Sequence, residues 1–99
     1  RSNNQNVIMV CRIKIPGYLK DKTNGETIAE LKGETVRECI EALVYRFPDL
    51  KGEILDNQGR LLLKWSLSIN DQIVDASDEM AQPVKEGDLI SLLPMIAGG

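Results

Sequence analysis

The sequence predicts an α+β fold in which one good helix lies across one face of a sheet, and three observations carry that reading. Two stretches alternate apolar and polar residues with the period of a half-buried strand. Another begins with helix-capping residues and continues with an apolar stripe. Finally, 99 residues with 42% hydrophobic content are enough for one core and too few for two.

In residues 7–15, Val7, Met9, Cys11, Ile13 and Ile15 share one side while Arg12 and Lys14 take the other. Pro16 and Gly17 break that strand. The polar residues 20–25, ending in Asn24-Gly25, read as a turn into a second strand over 27–32, with Thr27, Ala29 and Leu31 facing inward. Residues 1–6 are polar and aperiodic, and read as a flexible N-terminal segment without a role.

Thr35 and Glu38 have capping-box spacing, so each satisfies a backbone donor left unpaired at a helix start. Val36, Ile40, Leu43, Val44 and Phe47 then recur at three- and four-residue intervals, leaving Arg37, Glu38, Glu41 and Arg46 in water until Pro48 stops the helix. Cys39 lies beside the stripe and faces Cys11. Two reduced core thiols are expected, with no disulfide.

Residues 50–55 fit a short helical turn, Asp56-Asn57-Gln58-Gly59 is a turn by composition, and 61–64 fit neither pattern. Trp65, Leu67 and Ile69 alternate against Ser66 and Ser68. Asn70-Asp71 then turns the chain toward an extended piece around Ile73 and Val74, which together read as an exposed hairpin. Asp75, Asp78 and Glu79 read as a solvated acidic loop. Glu86-Gly87-Asp88 turns into a last strand whose Ile90 and Leu92 face the core and whose Leu89 and Leu93 face outward. With Met95, Ile96 and Ala97, those two leucines form a strip running into the tail, expected to bind a partner.

Composition narrows the function. A net charge of -3 argues against nucleic-acid or anionic-membrane partners, and no apolar run approaches the roughly 18 residues of a membrane span. Histidine is absent, the two cysteines lack metal-ligand spacing, and the glycines form no phosphate cradle. The reading is of a cytoplasmic protein with no catalytic residues, no metal and no bound cofactor. The chemistry then falls to the chain end. Glycine has no Cβ, so Gly98-Gly99 can thread a narrow channel, and the five residues from Met95 to Gly99 reach about 17 Å when extended.

Over nearly all of Val7 to Gly99, the opening strand into Ile15-Pro16, the capped helix ending at Phe47-Pro48, Ser68-Ile69-Asn70-Asp71, Glu86-Gly87-Asp88 and above all Leu93-Pro94-Met95-Ile96-Ala97-Gly98-Gly99 resemble the ubiquitin-like sulfur carriers of the ThiS, MoaD and CysO type. The length is closer to MoaD and CysO than to the shorter ThiS. The resemblance implies a β-grasp fold with a mixed sheet of four to five strands over residues 7–94, followed by an extended flexible tail over 95–99. It also implies that the Gly99 carboxylate is the reactive group, with Gly98 giving clearance. An E1-like enzyme would use ATP to adenylate Gly99, and a sulfur donor would displace AMP to leave a thiocarboxylate for molybdopterin, cysteine or thiamine synthesis. The partners implied are that enzyme and a sulfur-accepting synthase, and the resemblance also admits the role of small non-catalytic subunit of a synthase such as molybdopterin synthase. Two alternatives stay open: a ubiquitin-like modifier joined through Gly99 to substrate lysines, and a β-grasp interaction domain with an inert end.

Overall fold

In the computed structural model, which describes residues 9–74 and 79–94, the strands β1 (Val10–Lys14) and β2 (Ile28–Lys32) form an antiparallel pair with Cys11 opposite Leu31 and Ile13 opposite Ala29. Alternation puts all four into the core. Thr27 does not follow them. Its carbonyl accepts the Ile15 amide at 2.7 Å, but the residue lies past the last core position of the strand and is exposed. The connection also differs from the turn expected over 20–25, because a 3-10 helix covers Gly17–Thr23. Leu19 is buried, as is Thr23, whose hydroxyl donates to the Glu26 carbonyl at 2.7 Å. The turn proper is confined to Asn24 and Gly25, both at positive φ.

The helix α1 (Val36–Arg46) starts as its capping residues require, with the Glu38 amide donating to Thr35 Oγ1 at 3.2 Å. The Glu38 carboxylate reaches one residue further back than a capping box does and accepts the Glu34 amide at 2.7 Å. The buried stripe is Val36, Cys39, Ile40, Leu43 and Phe47, while Val44 is only half-buried. Gly33 makes this rotation possible, since a Cβ there would lie 3.0 Å from both Sγ and the backbone nitrogen of Cys39. Pro48 ends the helix and opens a 3-10 turn, Pro48–Leu50, that continues into the short α2 (Lys51–Ile54). Leu55 and Leu61 then pair across the turn at 56–60.

Three further strands complete one sheet: β3 (Trp65–Ile69), β4 (Gln72–Ile73) and β5 (Leu89–Pro94), in the order β2-β1-β5-β3-β4. β5 runs parallel to β1 and antiparallel to β3, which makes the sheet mixed. Of the hairpin expected to be exposed, only β4 is; β3 lies inside the sheet, between β5 and β4. α1 covers one face, where its stripe joins Cys11, Ile13, Ala29, Leu31, Trp65, Leu67, Ile90 and Leu92 in a single core. Asp75 and Asp78 of the expected acidic loop, like Val7 and residues 1–6, lie outside the described residues. Glu79 is half-buried, and burial raises its carboxyl above the usual range, so it is not a freely solvated acid.

The root of the C-terminal tail as candidate functional site

β5 is an inner strand, held by β1 through Leu89, Ile90 and Ser91 and by β3 from Ile90 to Pro94. Its start is pinned by Asn70, which occupies the positive-φ turn between β3 and β4. The Asn70 amide donates to the Leu89 carbonyl, its Oδ1 accepts from the Leu89 amide, and its Nδ2 donates to Asp88 Oδ1, all at 2.9 Å. Asp88 Oδ2 also accepts the Lys85 amide at 2.7 Å, and Arg12 donates to the Gly87 carbonyl at 3.1 Å. Gly87 itself sits at φ +82, a conformation costly for any side chain. The motifs at 68–71 and 86–88 therefore work as one clamp on the beginning of β5.

At the other end, Pro94 lies opposite Trp65. In this register the Pro94 nitrogen faces the β1 side, where pairing has already stopped at Ser91, so proline forfeits no ladder bond. Trp65 is buried, donates Nε1–H to the Glu53 carbonyl at 2.8 Å and stacks with Tyr18 at 6.3 Å between ring centroids. Lys64 lies 5.3 Å from the indole centroid. The chain thus leaves the middle of the sheet beside a fixed aromatic pair. Met95, Ile96, Ala97, Gly98 and Gly99, on which the expected chemistry falls, lie outside the described residues.

Leu89 and Leu93 do share the sheet face opposite α1, but they do not make one continuous strip. Leu89 is half-buried beside Arg12, Leu93 is 39% exposed, and Ser91 separates them. Registers place Lys14, Ser91, Ser68 and Ile73 in one row across this face. Ile73 is 65% exposed. Sequence reasoning missed Lys14, Ser91 and Ile73 as neighbours of Leu93, and it set Ser68 opposite Trp65, Leu67 and Ile69 without showing that the residue is buried. Alternation reveals which side each residue takes, but only strand order reveals the row.

The side chains elsewhere offer little reactivity. Cys11 and Cys39 are free and fully buried; the influence of the Cys11 thiol first, and burial second, push the Cys39 thiol up. It stays protonated and is a poor nucleophile. Among the described residues no group of three or more His, Cys, Asp or Glu side chains is placed to hold a metal ion, and no helix is long and apolar enough to cross a membrane.

Comparisons with known proteins point the same way. The model of the ThiS family matches residues 13–99. The chain is 27% identical over 89 residues to the sulfur carrier protein CysO of Mycobacterium tuberculosis, across 88% of this chain and 96% of that one. It is similar, with a TM-score of 0.78 and 32% identity, to a chain of the Amycolatopsis orientalis BexX/CysO complex, covering 90% of this chain and 99% of that one. It shares the fold of SAMP1 from Haloferax volcanii, with a TM-score of 0.74 at 20% identity over 91% of this chain and 99% of that one. The five-stranded mixed sheet with α1 across it is a ubiquitin-like β-grasp.

Proposed function

The chain belongs to the ThiS family, and from that premise we propose that it is a sulfur carrier acting as a protein co-substrate, with Gly99 as its acyl end. The observation that supports this most is the placement of β5. An inner strand clamped at its start and anchored at Trp65 presents the following residues from a fixed point. The sulfur carriers among its relatives align along almost their whole length.

A carboxylate at neutral pH is anionic and a poor electrophile, so it must be activated before sulfur can replace oxygen. In the proposed sequence a Gly99 carboxylate oxygen attacks the α-phosphorus of ATP on an E1-like enzyme, and pyrophosphate leaves. A sulfur donor then attacks the acyl carbon of the mixed anhydride, and AMP leaves, to give the thiocarboxylate. ATP is bound by the enzyme, and the carrier supplies the acyl group and the surface that docks it. Leu93, with Leu89 behind it and residues 95–97 beyond, is the apolar part of that surface. A relative in the BexX/CysO complex supports docking on a partner protein as the working state.

Incubation with an E1-like enzyme, ATP and a sulfide source, followed by intact-mass measurement, tests the proposal. Exchange of one oxygen for sulfur at the C-terminal residue is the expected result. A diglycine remnant on substrate lysines would assign a protein modifier instead, and an unchanged mass across enzymes that activate CysO relatives would leave an inert interaction domain.

A further inference from the structure

We propose that the groove on the open face of the sheet, floored by Ser68 and Ser91, receives an Asn or Gln carboxamide from the protein that docks there. That this protein is the activating enzyme rests on the reading of Gly99 above. The groove has a volume of about 260 Å³ and is bordered by Lys14, Pro16, Asp71, Ile73 and Leu93. Ser68 and Ser91 lie directly opposite each other on β3 and β5, and they are only 3% and 7% exposed. Among the described residues neither hydroxyl has a hydrogen-bond partner, whereas buried polar groups are ordinarily paired. Two sheltered hydroxyls at the bottom of an open groove are suited to hydrogen bonding an incoming group.

The charges around the groove select that group. Lys14 is the cross-strand neighbour of Ser91, and Asp71 lies in the turn after Ser68, so a cation and an anion flank the two hydroxyls. Among the described residues neither charge is in an ion pair. A carboxylate in the groove gains from Lys14 and loses to Asp71, and an ammonium does the reverse. A neutral carboxamide satisfies both ends, with its carbonyl oxygen toward Lys14 and Ser91 and its NH₂ toward Ser68 and Asp71. Ile73 and Leu93 provide apolar walls for its methylene stem.

Asp71 sits at φ 71 as the second residue of the two-residue turn between β3 and β4, a position that Asp tolerates, and from there it borders the groove. A larger hollow of about 560 Å³ beside β4 lacks comparable features, because both carboxylate oxygens of its buried Asp88 are already hydrogen bonded.

Titrations of the ¹⁵N-labelled chain with butyramide, butyrate and butylammonium test the proposal. Butyramide should shift the Lys14, Ser68, Asp71 and Ser91 amides saturably, and bind about tenfold more tightly than either charged analogue. The Ser68→Ala/Ser91→Ala variant should lose that preference. Asp71→Gly, at a positive-φ turn position that glycine also fits, should make butyrate bind more tightly than butylammonium. Absence of a saturable butyramide shift, equal binding of the three probes, or undiminished butyramide binding by a folded serine variant would overturn the assignment. If the serine variant does not fold, an unaltered ranking in Asp71→Gly does so. The titration contains no ATP and no second protein, so its failure leaves Gly99 activation untouched, and an inert Gly99 leaves the measured ranking in place.

Discussion

The two sides of β5 do different work with one backbone. Toward α1, Ile90 and Leu92 are buried in the core, where packing fixes the strand in depth and register. On the other side Leu89 is half-buried, Ser91 is sheltered within a groove, and Leu93 is open enough to be covered by a partner. The inner side thus decides where the chain end emerges, while the outer side is free to decide what meets it. A strand buried on both faces would offer no recognition, and one exposed on both would not hold its position.

The sharpest separation lies beyond the strand. Deleting Gly99 should abolish thiocarboxylate formation, read by intact mass, and leave the melting temperature unchanged, because a single terminal glycine without a side chain contributes little packing. A lowered melting temperature would mean that the tail belongs to the folded body. Within the strand, Ile90→Ala removes a fully buried side chain and should cost about 2–5 kcal/mol in denaturant unfolding. Its counterpart on the other side, Leu93→Asp, should weaken binding to the activating enzyme by about tenfold or more at nearly unchanged stability. If the two substitutions affected stability alike, the division of labour across β5 would be wrong.

How far this division was readable from the sequence depends on the range of each interaction. Cys11, Ile13, Leu67 and Ile90 declare themselves by alternation, and Thr35 with Glu38 marks the start of α1, because those signals span only a few residues. Leu19 and Thr23 escaped because the lysines around them have the composition of a turn, and the burial that makes the segment helical comes from distant parts of the chain. The sequence places Cys39 in the core with Cys11, but that it joins the buried stripe itself depends on Gly33 opposite it. The row from Lys14 to Ile73 needed the parallel pairing of β1 with β5, a contact between residues more than seventy positions apart. Recognition of the tail motif carried the functional reading, whereas the groove beside it required coordinates.

Smaller effects are expected where the sheet is not involved. Thr35→Ala removes the α1 cap and should cost about 1 kcal/mol, measured by denaturant unfolding, without altering partner affinity. A loss of affinity would show that α1 reaches the docking face.

The subtlest contrast is between two acids away from the tail. Backbone hydrogen bonding from Arg60, then from Gln58, together with the Arg60 side chain at 3.2 Å, holds the Asp56 carboxyl below its usual range. The unfolded chain therefore takes up the proton first as pH falls. The Asp56 contribution is fully present above the unfolded value and is lost as pH falls through the lower folded value. Glu79 has the opposite sign: burial raises its folded value, so its charge opposes folding at neutral pH and the penalty disappears on acidification. Asp56→Asn should accordingly be less stable than the parent at neutral pH and converge with it in acid, while Glu79→Gln should be more stable at neutral pH and lose its advantage. Unfolding curves across that range decide between charge and shape. Differences that stay constant with pH would mean that these two loops are held by packing and hydrogen-bond geometry alone.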